Sequence, residues 1–348
     1  MDFYKLAIKQ LIKETDKAVS IAFEVPEGMR SNFSFTAGQY ITLKTVIDDE
    51  EIRRDYSLCS TPMSGDLKVV IKEVEGGVFS HFANNILKIG DIIEVAPPNG
   101  RFTYQIKQEE ESTIVAFAAG SGITPIMSII KTVLEQEHST KMVLVYGNKT
   151  PNDTIFYQEL LQLAEDYEDR FALKFVFSQS NEDNALFGRI ETSTINYIIN
   201  QTERVSLFYI CGPETMIQNV ENVLLEKGVN KDAIKFELFT TKTEASSNDS
   251  INVKSGNAVV TVMVDDEETT FVMPQSKTIL EAALENDIDA PYSCQGGICS
   301  TCIARLTSGE AVMRQNNILT DGELAEGLIL TCQAQPTTST VNVDYDDV

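Results

Sequence analysis

A chain of 348 residues exceeds one ordinary hydrophobic core, so two or three domains are expected. With 43% hydrophobic, 23% charged and 8% aromatic residues, the composition is that of a soluble globular protein and not of a disordered one. A formal net charge of −24 excludes a general nucleic-acid binder, which needs clustered Lys and Arg to neutralise phosphates.

Residues 1–11 carry Asp2, Lys5 and Lys9 among their apolar neighbours and so lack the uninterrupted apolar core of a secretion signal. The longest apolar runs, 113–119 and 207–211, fall far short of the roughly 20 residues that cross a bilayer. A cytoplasmic chain with no membrane partner is the expectation. Residues 1–108 read as short alternating strands, for example 19–25, 40–46 and 67–74, separated by Gly, Pro and Asp turns, which predicts an antiparallel β-barrel. From 109 to 243 the period changes. Apolar runs at 113–118, 142–146, 173–177, 207–210 and 234–239 alternate with helical segments that include 125–136, 153–167 and 214–227, the signature of a parallel sheet covered on both faces.

Ser, Asn and Asp dominate 244–250, where a linker is expected. Beyond it, 258–264 and 268–273 predict a hairpin, 278–286 a helix and 341–344 a closing strand. This last portion is acidic: from Ile251 onward 4 Lys or Arg stand against 15 Asp or Glu.

Four of the six cysteines crowd into that portion. Cys294-Gln-Gly-Gly-Ile-Cys299-Ser-Thr-Cys302 is C-x4-C-x2-C, with Cys332 as a distant fourth ligand, the spacing of plant-type [2Fe–2S] proteins. Gly296 and Gly297 let the loop wrap tightly and aim backbone N–H groups at the sulfurs, which stabilises a reduced, more negative cluster. A zinc ribbon is the competing reading, but it pairs two C-x2-C knuckles and only one is present.

Gly120-Ser121-Gly122-Ile123-Thr124-Pro125 follows a predicted strand and opens a helix, the position where backbone N–H groups and a helix dipole cradle a dinucleotide pyrophosphate. Pro125 stands where the third glycine of G-x-G-x-x-G would be, so an ordinary strand-to-helix turn is the alternative for this piece alone. Cys211-Gly212-Pro213-Glu214-Thr215-Met216 ends another strand at the same predicted edge. Nucleotide enzymes specific for NADH place an acid at the end of the second strand. Here that stretch is Tyr146-Gly147-Asn148-Lys149-Thr150, with Lys149 and no acid, which leans towards NADPH over NADH.

A two-electron hydride donor and a one-electron cluster need a flavin between them. In the barrel, Arg54-Asp55-Tyr56-Ser57-Leu58-Cys59-Ser60 offers a cation for phosphate, an aromatic for a ring face and a hydroxyl for a ring nitrogen. Strand alternation puts Arg54, Tyr56 and Leu58 on one face and Asp55 and Ser57 on the other. Cys59 is expected to pack the barrel, and His81 to cap a helix start or face solvent.

Taken in order, R-x-Y-S-x-x-S, a glycine phosphate loop, G-x-G-x-x-P and C-G-P-x-x-M resemble the ferredoxin–NADP reductase superfamily over almost the whole chain. The resemblance implies an FAD-binding barrel, an NAD(P)-binding α/β domain and a C-terminal β-grasp [2Fe–2S] ferredoxin domain. It implies that Arg54, Tyr56 and Ser57 contact FAD, with Ser57 near N5 and Tyr56 and Ser57 as the catalytic pair. Gln39 and Tyr40 precede that site, and Gly76, Gly77 and Ser80 meet the flavin phosphates. It further implies that Gly120, Gly122, Thr124, Pro125 and Lys149 hold the nucleotide, that Cys211, Gly212, Pro213 and Met216 approach the nicotinamide, and that Glu237 and Phe239 close the flavin site. The domain order is similar to that of oxygenase reductases. Gly147-Asn148-Lys149, Phe177-Ser178-Gln179-Ser180, Gly188-Arg189 and the run Gln315-Asn316-Asn317 before Leu330-Thr331-Cys332-Gln333-Ala334 resemble the reductase subunits of phenylacetyl-CoA epoxidases most. The Arg that many NADP-dependent relatives place after the serine is Gln179 here. The implied partner is an oxygenase that accepts electrons. An FMN- or NADH-dependent dioxygenase reductase and a non-enzymatic redox sensor are the alternatives.

Overall fold

A computed structural model describes residues 1–106, 111–239 and 256–348. The expected boundary at 108/109 and the linker at 244–250 lie outside the described residues. The chain divides into two compact units, Phe3–Phe239 and a second comprising Thr240–Val348 with Met1–Asp2.

The first unit opens with strands β1 (Tyr4–Thr15), β2 (Ala18–Glu24), β3 (Tyr40–Ile47), β4 (Glu50–Ser57) and β5 (Leu67–Lys72), helix α1 (Val78–Asn85) and strand β6 (Ile92–Val95). They form one antiparallel sheet in the order β4-β3-β6-β1-β2-β5. A bridge from Leu58 to Val69, with the Cys59 amide donating to the Lys68 carbonyl at 2.9 Å, ties the two edge strands and closes the barrel. Alternation turns Leu6, Ile8, Val19, Ile21, Ile41, Leu43, Val69 and Ile71 inward, each contributing about 1.5–3 kcal/mol on full burial. The β3–β4 turn is Asp48-Asp49, both with positive φ (53° and 64°), the two-residue geometry that matches strand twist.

The same unit continues with β7 (Thr113–Ala119), α2 (Ile123–Gln136), β8 (Lys141–Asn148), α3 (Tyr157–Asp166), β9 (Phe171–Phe177), β10 (Leu186–Phe187), α4 (Thr192–Gln201), β11 (Val205–Cys211), α5 (Glu214–Glu226) and β12 (Ile234–Glu237). Their strands pair in parallel in the order β10-β9-β8-β7-β11-β12. Strand order reverses beside β7, so the crevice between the ends of β7 and β11 is the switch point where open α/β sheets bind ligands. Barrel and sheet share one core: Ala37, Cys59, Val70 and Phe102 pack with Ile126, Met127 and Ile130 of α2. Helix α2 is therefore buried on nearly every side, and its polar residues find partners within the protein. Ser128 Oγ donates to the Ser60 carbonyl at 2.6 Å and Thr132 Oγ1 to the Ser128 carbonyl at 2.7 Å. Arg170 caps the helix C-terminus by donating to the Leu134 and Glu137 carbonyls, both at 2.6 Å.

One expected helix is shorter than its pattern. The segment 153–167 begins as a 3-10 turn, Pro151–Asp153, and only Tyr157–Asp166 is α-helical. Thr150 Oγ1 donates to Asp153 at 2.7 Å and Thr154 Oγ1 to the Thr150 carbonyl at 2.9 Å, satisfying the backbone without a helix. Phe156 then adopts a left-handed conformation (φ 62°), which a helix does not allow.

The second unit contains β13 (Asn257–Val264), β14 (Glu267–Pro274), α6 (Ile279–Glu285), β15 (Ile303–Ser308), β16 (Ala311–Met313), α7 (Asp321–Ala325), β17 (Leu328–Leu330), β18 (Ala334–Pro336) and β19 (Thr340–Asp344). The main sheet runs β14-β13-β19-β15-β17, with β13 and β19 parallel and a small β16–β18 ladder beside it, and α6 packs its Ile279, Leu280, Ala282 and Ala283 into the core. This is the β-grasp arrangement. Thr278 and Glu281 form a capping box at the start of α6.

Candidate functional site

Strand β4 pairs with β3 without interruption, Tyr40 opposite Ser57 and Leu43 opposite Arg54, so the expected alternation holds. Tyr56 packs on the barrel core with its ring 5.6 Å from Phe79, and burial pushes its hydroxyl well above the ordinary pKa. Arg54 is exposed, and Nη1 donates to the Arg53 carbonyl at 2.7 Å. Ser57 faces the other way and is buried. Its Oγ donates to Glu237 Oε2 at 3.0 Å. Glu237 ends β12 opposite Cys211 at the end of β11. Burial, and then Asp55, push the Glu237 carboxyl up to about 8, while the Ser57 bond pulls it back. Cys211 is buried, its thiol raised by burial and by the neighbouring Glu237. Ser57, Cys211 and Glu237, 180 residues apart at the extremes, thus converge where barrel and sheet meet. Phe239 packs against the shared core.

Gly38 (φ 98°) delivers Gln39 and Tyr40 to this strand, and a Cβ there would lie 1.9 Å from the Phe102 carbonyl oxygen. The Gln39 carbonyl accepts from the Leu58 amide at 2.8 Å, and Gln39 Oε1 from the Thr36 amide at 2.9 Å. Tyr40 is buried.

Gly76 and Gly77 form the turn into α1. Ser80 Oγ accepts from the Val74 amide at 3.2 Å and donates to the Gly77 carbonyl at 3.1 Å. Its hydroxyl thus rigidifies the turn, leaving the first-turn amides of α1 as the natural anion donors. His81 is 62% exposed and pairs with Glu73 at 2.9 Å, a surface contact with no catalytic neighbour. Cys59 is buried and donates to the Lys68 carbonyl at 3.3 Å. Burial pushes its thiol up to about 12, which makes it inert at neutral pH.

Gly120–Gly122 is a 3-10 turn leading directly into α2, with Thr124 Oγ1 donating to the Ser121 carbonyl at 3.1 Å and Tyr146 OH to the Gly120 carbonyl at 2.8 Å. A Cβ on Gly122 would lie 2.1 Å from the Cys211 carbonyl oxygen, and one on Gly212 would lie 2.7 Å from Met216 Cε. The two glycine turns are therefore pressed together at the switch point. Pro125 and Met216 are buried in the first turns of their helices, and Pro213 stands at the N-cap of α5. Lys149 is exposed just beyond β8.

Sequence reasoning missed Lys72. It ends β5, and its Nζ lies 3.5 Å from the point where a Gly120 Cβ would be. Burial, with Lys149 and Lys17 nearby, lowers its pKa, and Asp153 opposes this. Lys72 is the second of two lysines in β5, Leu67-Lys68-Val69-Val70-Ile71-Lys72, and only the fold brings it to the glycine turn.

In the second unit, Cys302 and Cys332 are in thiol–thiol hydrogen-bond contact, and Cys294 is near enough for its charge to act on both. Cys332 is held below the usual thiol range because Cys302, Gln333 and the Gly297 amide donate to it, whereas Cys302 is raised by donating to Cys332 and by burial. The Gly296 amide donates to Cys294 Sγ at 3.3 Å. Gly297 (φ 71°) is so close to Gln333 that a Cβ would lie 3.0 Å from its Cγ. Cys299 is buried in the same loop. Among the described residues no three Cys, His, Asp or Glu side chains are grouped for a single metal ion. A two-iron cluster distributes its four thiolates over two metals, and the paired Cys302 and Cys332 thiols, with the Gly296 and Gly297 amides turned to cysteine sulfurs, fit that donor set.

Among the described residues no helix is long and apolar enough to cross a membrane. Three family profiles match in succession: the oxidoreductase FAD-binding domain over residues 6–104, the oxidoreductase NAD-binding domain over 117–222 and the 2Fe-2S iron-sulfur cluster binding domain over 262–337. The chain is 38% identical over 349 aligned residues to a component of the 1,2-phenylacetyl-CoA epoxidase of Escherichia coli (strain K12), covering 99% of this chain and 98% of that one. It is 30% identical to the ferredoxin reductase component of 3-ketosteroid-9-alpha-monooxygenase from Rhodococcus rhodochrous, covering 98% and 96%. The structure of phthalate dioxygenase reductase shares its fold, with a TM-score of 0.63, 22% identity and 98% coverage of each chain. Three cofactor domains in this order and 38% identity along nearly the whole of both chains make the chain an oxidoreductase of the family of FAD-, NAD- and [2Fe–2S]-binding oxygenase reductases.

Proposed function

We propose that this chain passes electrons from NADPH through FAD and a [2Fe–2S] cluster to an oxygenase of the phenylacetyl-CoA epoxidase kind. The observation that carries the reading is the Ser57–Glu237 bond beside Cys211, which joins the flavin barrel to the nucleotide sheet at its switch point. When bound, the nucleotide supplies a hydride, the flavin divides the electron pair and the cluster carries electrons singly.

The residues then have these tasks. The first-turn amides of α1, positioned by Gly76, Gly77 and Ser80, would receive the flavin phosphates together with Arg54. Tyr56 and Tyr40 would bracket the flavin ring. Ser57 would orient the ring, and Glu237 would hold an exchangeable proton one hydrogen bond away, since its carboxyl is still largely neutral at pH 7. Gly120, Gly122, Thr124 and Pro125 would present the α2 N-terminus to the pyrophosphate, with Lys72 as its counter-charge. Cys211 to Pro213 and Met216 would shape the nicotinamide slot. Lys149, with no acid between Tyr146 and Thr150, supports a 2′-phosphate and hence NADPH. Cys294, Cys299, Cys302 and Cys332 would hold the cluster.

The choice of epoxidase rests on the 38% identity across nearly the whole chain. A cytoplasmic location accords with it. The test is NADPH- and NADH-driven reduction of a dye and of candidate oxygenases by the purified holoprotein, with the extracted flavin identified against standards. Stimulation of an epoxidase by NADPH and extraction of FAD support the reading. FMN, an NADH preference or stimulation of another oxygenase alone would move the assignment to a different reductase of the family. No turnover at all would favour a redox sensor.

A further inference from the structure

Gln333 directly follows Cys332, the distant fourth cysteine, and the spacing of the cysteines gives it no task. It is a buried polar residue, 8% exposed, in a chain where such residues need partners. Its backbone is fixed at both ends: the amide donates to the Leu330 carbonyl at 2.8 Å, and the carbonyl accepts from the Arg314 amide at 3.0 Å. The side-chain amide is fixed as well. Nε2 donates to the Gln295 carbonyl at 3.0 Å and to Cys332 Sγ at 3.7 Å. The Gln295 carbonyl can only accept, so the nitrogen end of the amide is the end turned towards the sulfur. Gly297 lies against the side-chain stem, in a position where a Cβ would approach to 3.0 Å of Cγ, so the side chain has little room to leave.

We infer that Gln333 sets the reduction potential of the cluster, its amide donating to the Cys332 sulfur while tethering the loop that carries Cys294. The inference rests on the [2Fe–2S] reading of the four cysteines. Reduction adds negative charge that is shared by the cysteine sulfurs, and a fixed N–H dipole aimed at one of them favours the reduced form. Backbone amides do the same around the loop, but they are fixed by the fold of any such loop. Gln333 is a side chain, so the same backbone can carry a donor or not. It is a positioning residue and makes no bond to iron.

The test is the midpoint potential of the full-length holoprotein, poised with chemical reductant and mediators and followed by the visible spectrum and by EPR. Gln333→Leu and Gln333→Met keep the volume and remove the donor. Each should disfavour reduction about tenfold, which for a one-electron couple is roughly 59 mV. Gln333→Glu, which replaces the donor by a carboxylate, should fall further. Midpoints of the Leu and Met variants within twofold of the unmodified protein, at equal iron and sulfide content, would overturn the inference. Should the variants lose their iron, pulsed EPR of the unmodified protein grown with side-chain 15N-glutamine decides. A coupling from the amide nitrogen supports the contact, and its absence overturns it. Because no pyridine nucleotide is used, a chain that ignores NADPH would count against the reductase reading alone, whereas a chain that binds zinc would end both.

Discussion

At the scale of single residues, the chemistry turns on groups whose properties come from where the fold leaves them. Glu237 is an ordinary glutamate in sequence, and its carboxyl is pushed up to about 8 by burial at the end of β12. A folded carboxyl that binds its proton more tightly than the unfolded one makes stability fall as pH rises from the ordinary carboxylate value of 4.5 to about 8. Glu237→Gln should therefore flatten the unfolding midpoint over this window, measured by thermal denaturation at a series of pH values. A slope equal to that of the unmodified protein would contradict the placement. Ser57→Ala removes a side chain that links the barrel to this carboxyl. The expected outcome in stopped-flow kinetics is flavin reduction slowed by roughly 10²-fold with FAD still bound. Ser57 and Glu237 were legible only as members of motifs, because no spacing rule connects residues 180 positions apart. Lys72 and Gln333 were not legible at all as site residues. Each is a polar residue beside an apolar segment, and its meaning depends on which loop the fold places opposite.

At the scale of elements, most boundaries followed from periodicity. The runs 113–118 and 207–210 became β7 and β11, and 214–227 became α5 to within one residue, because buried parallel strands and amphipathic helices carry strong patterns. The exception is 153–167, where Thr150, Asp153 and Thr154 bond the backbone locally and Phe156 takes a left-handed conformation, a competition that a helical period does not reveal. The glycine turns matter as a pair. Since a Cβ at Gly122 would lie 2.1 Å from the Cys211 carbonyl oxygen, Gly122→Ala must push the two turns apart. Affinity for the nicotinamide nucleotide should fall at least tenfold, with a stability loss of about 2 kcal/mol or more and the flavin retained, as read by nucleotide titration and calorimetry. In the other unit, Thr278→Ala removes the capping box of α6 and should cost about 1 kcal/mol in chemical denaturation.

At the scale of the whole molecule, the three expected folds are present, and the C-x4-C-x2-C spacing told more about function than any other stretch. What the sequence did not reveal is that the barrel and the nucleotide sheet form one compact unit around α2. Apolar residues on every face of a helix mark it as buried without naming what buries it. Charge acts at this scale too. The region from Ile251 onward has 15 acidic residues against 4 basic ones, so reduction of a partner with a basic surface should slow several-fold as salt rises from low to physiological strength. A rate independent of ionic strength would remove the acidic surface from the account of docking. Reduction of a small neutral dye should show no such dependence.

In the proposed function one chain carries electrons from nicotinamide nucleotide through flavin to a cluster held by Cys294, Cys299, Cys302 and Cys332. It is tested most directly by mixing the purified holoprotein with NADPH in the absence of oxygen and of any partner, while recording the flavin absorbance and the EPR spectrum. The expected result is bleaching of the flavin followed by the signal of a reduced [2Fe–2S] centre, with the signal lost and the bleaching kept in Cys332→Ser. A bleached flavin with no iron signal in the unmodified protein, or a colourless zinc-bound C-terminal unit, would contradict it.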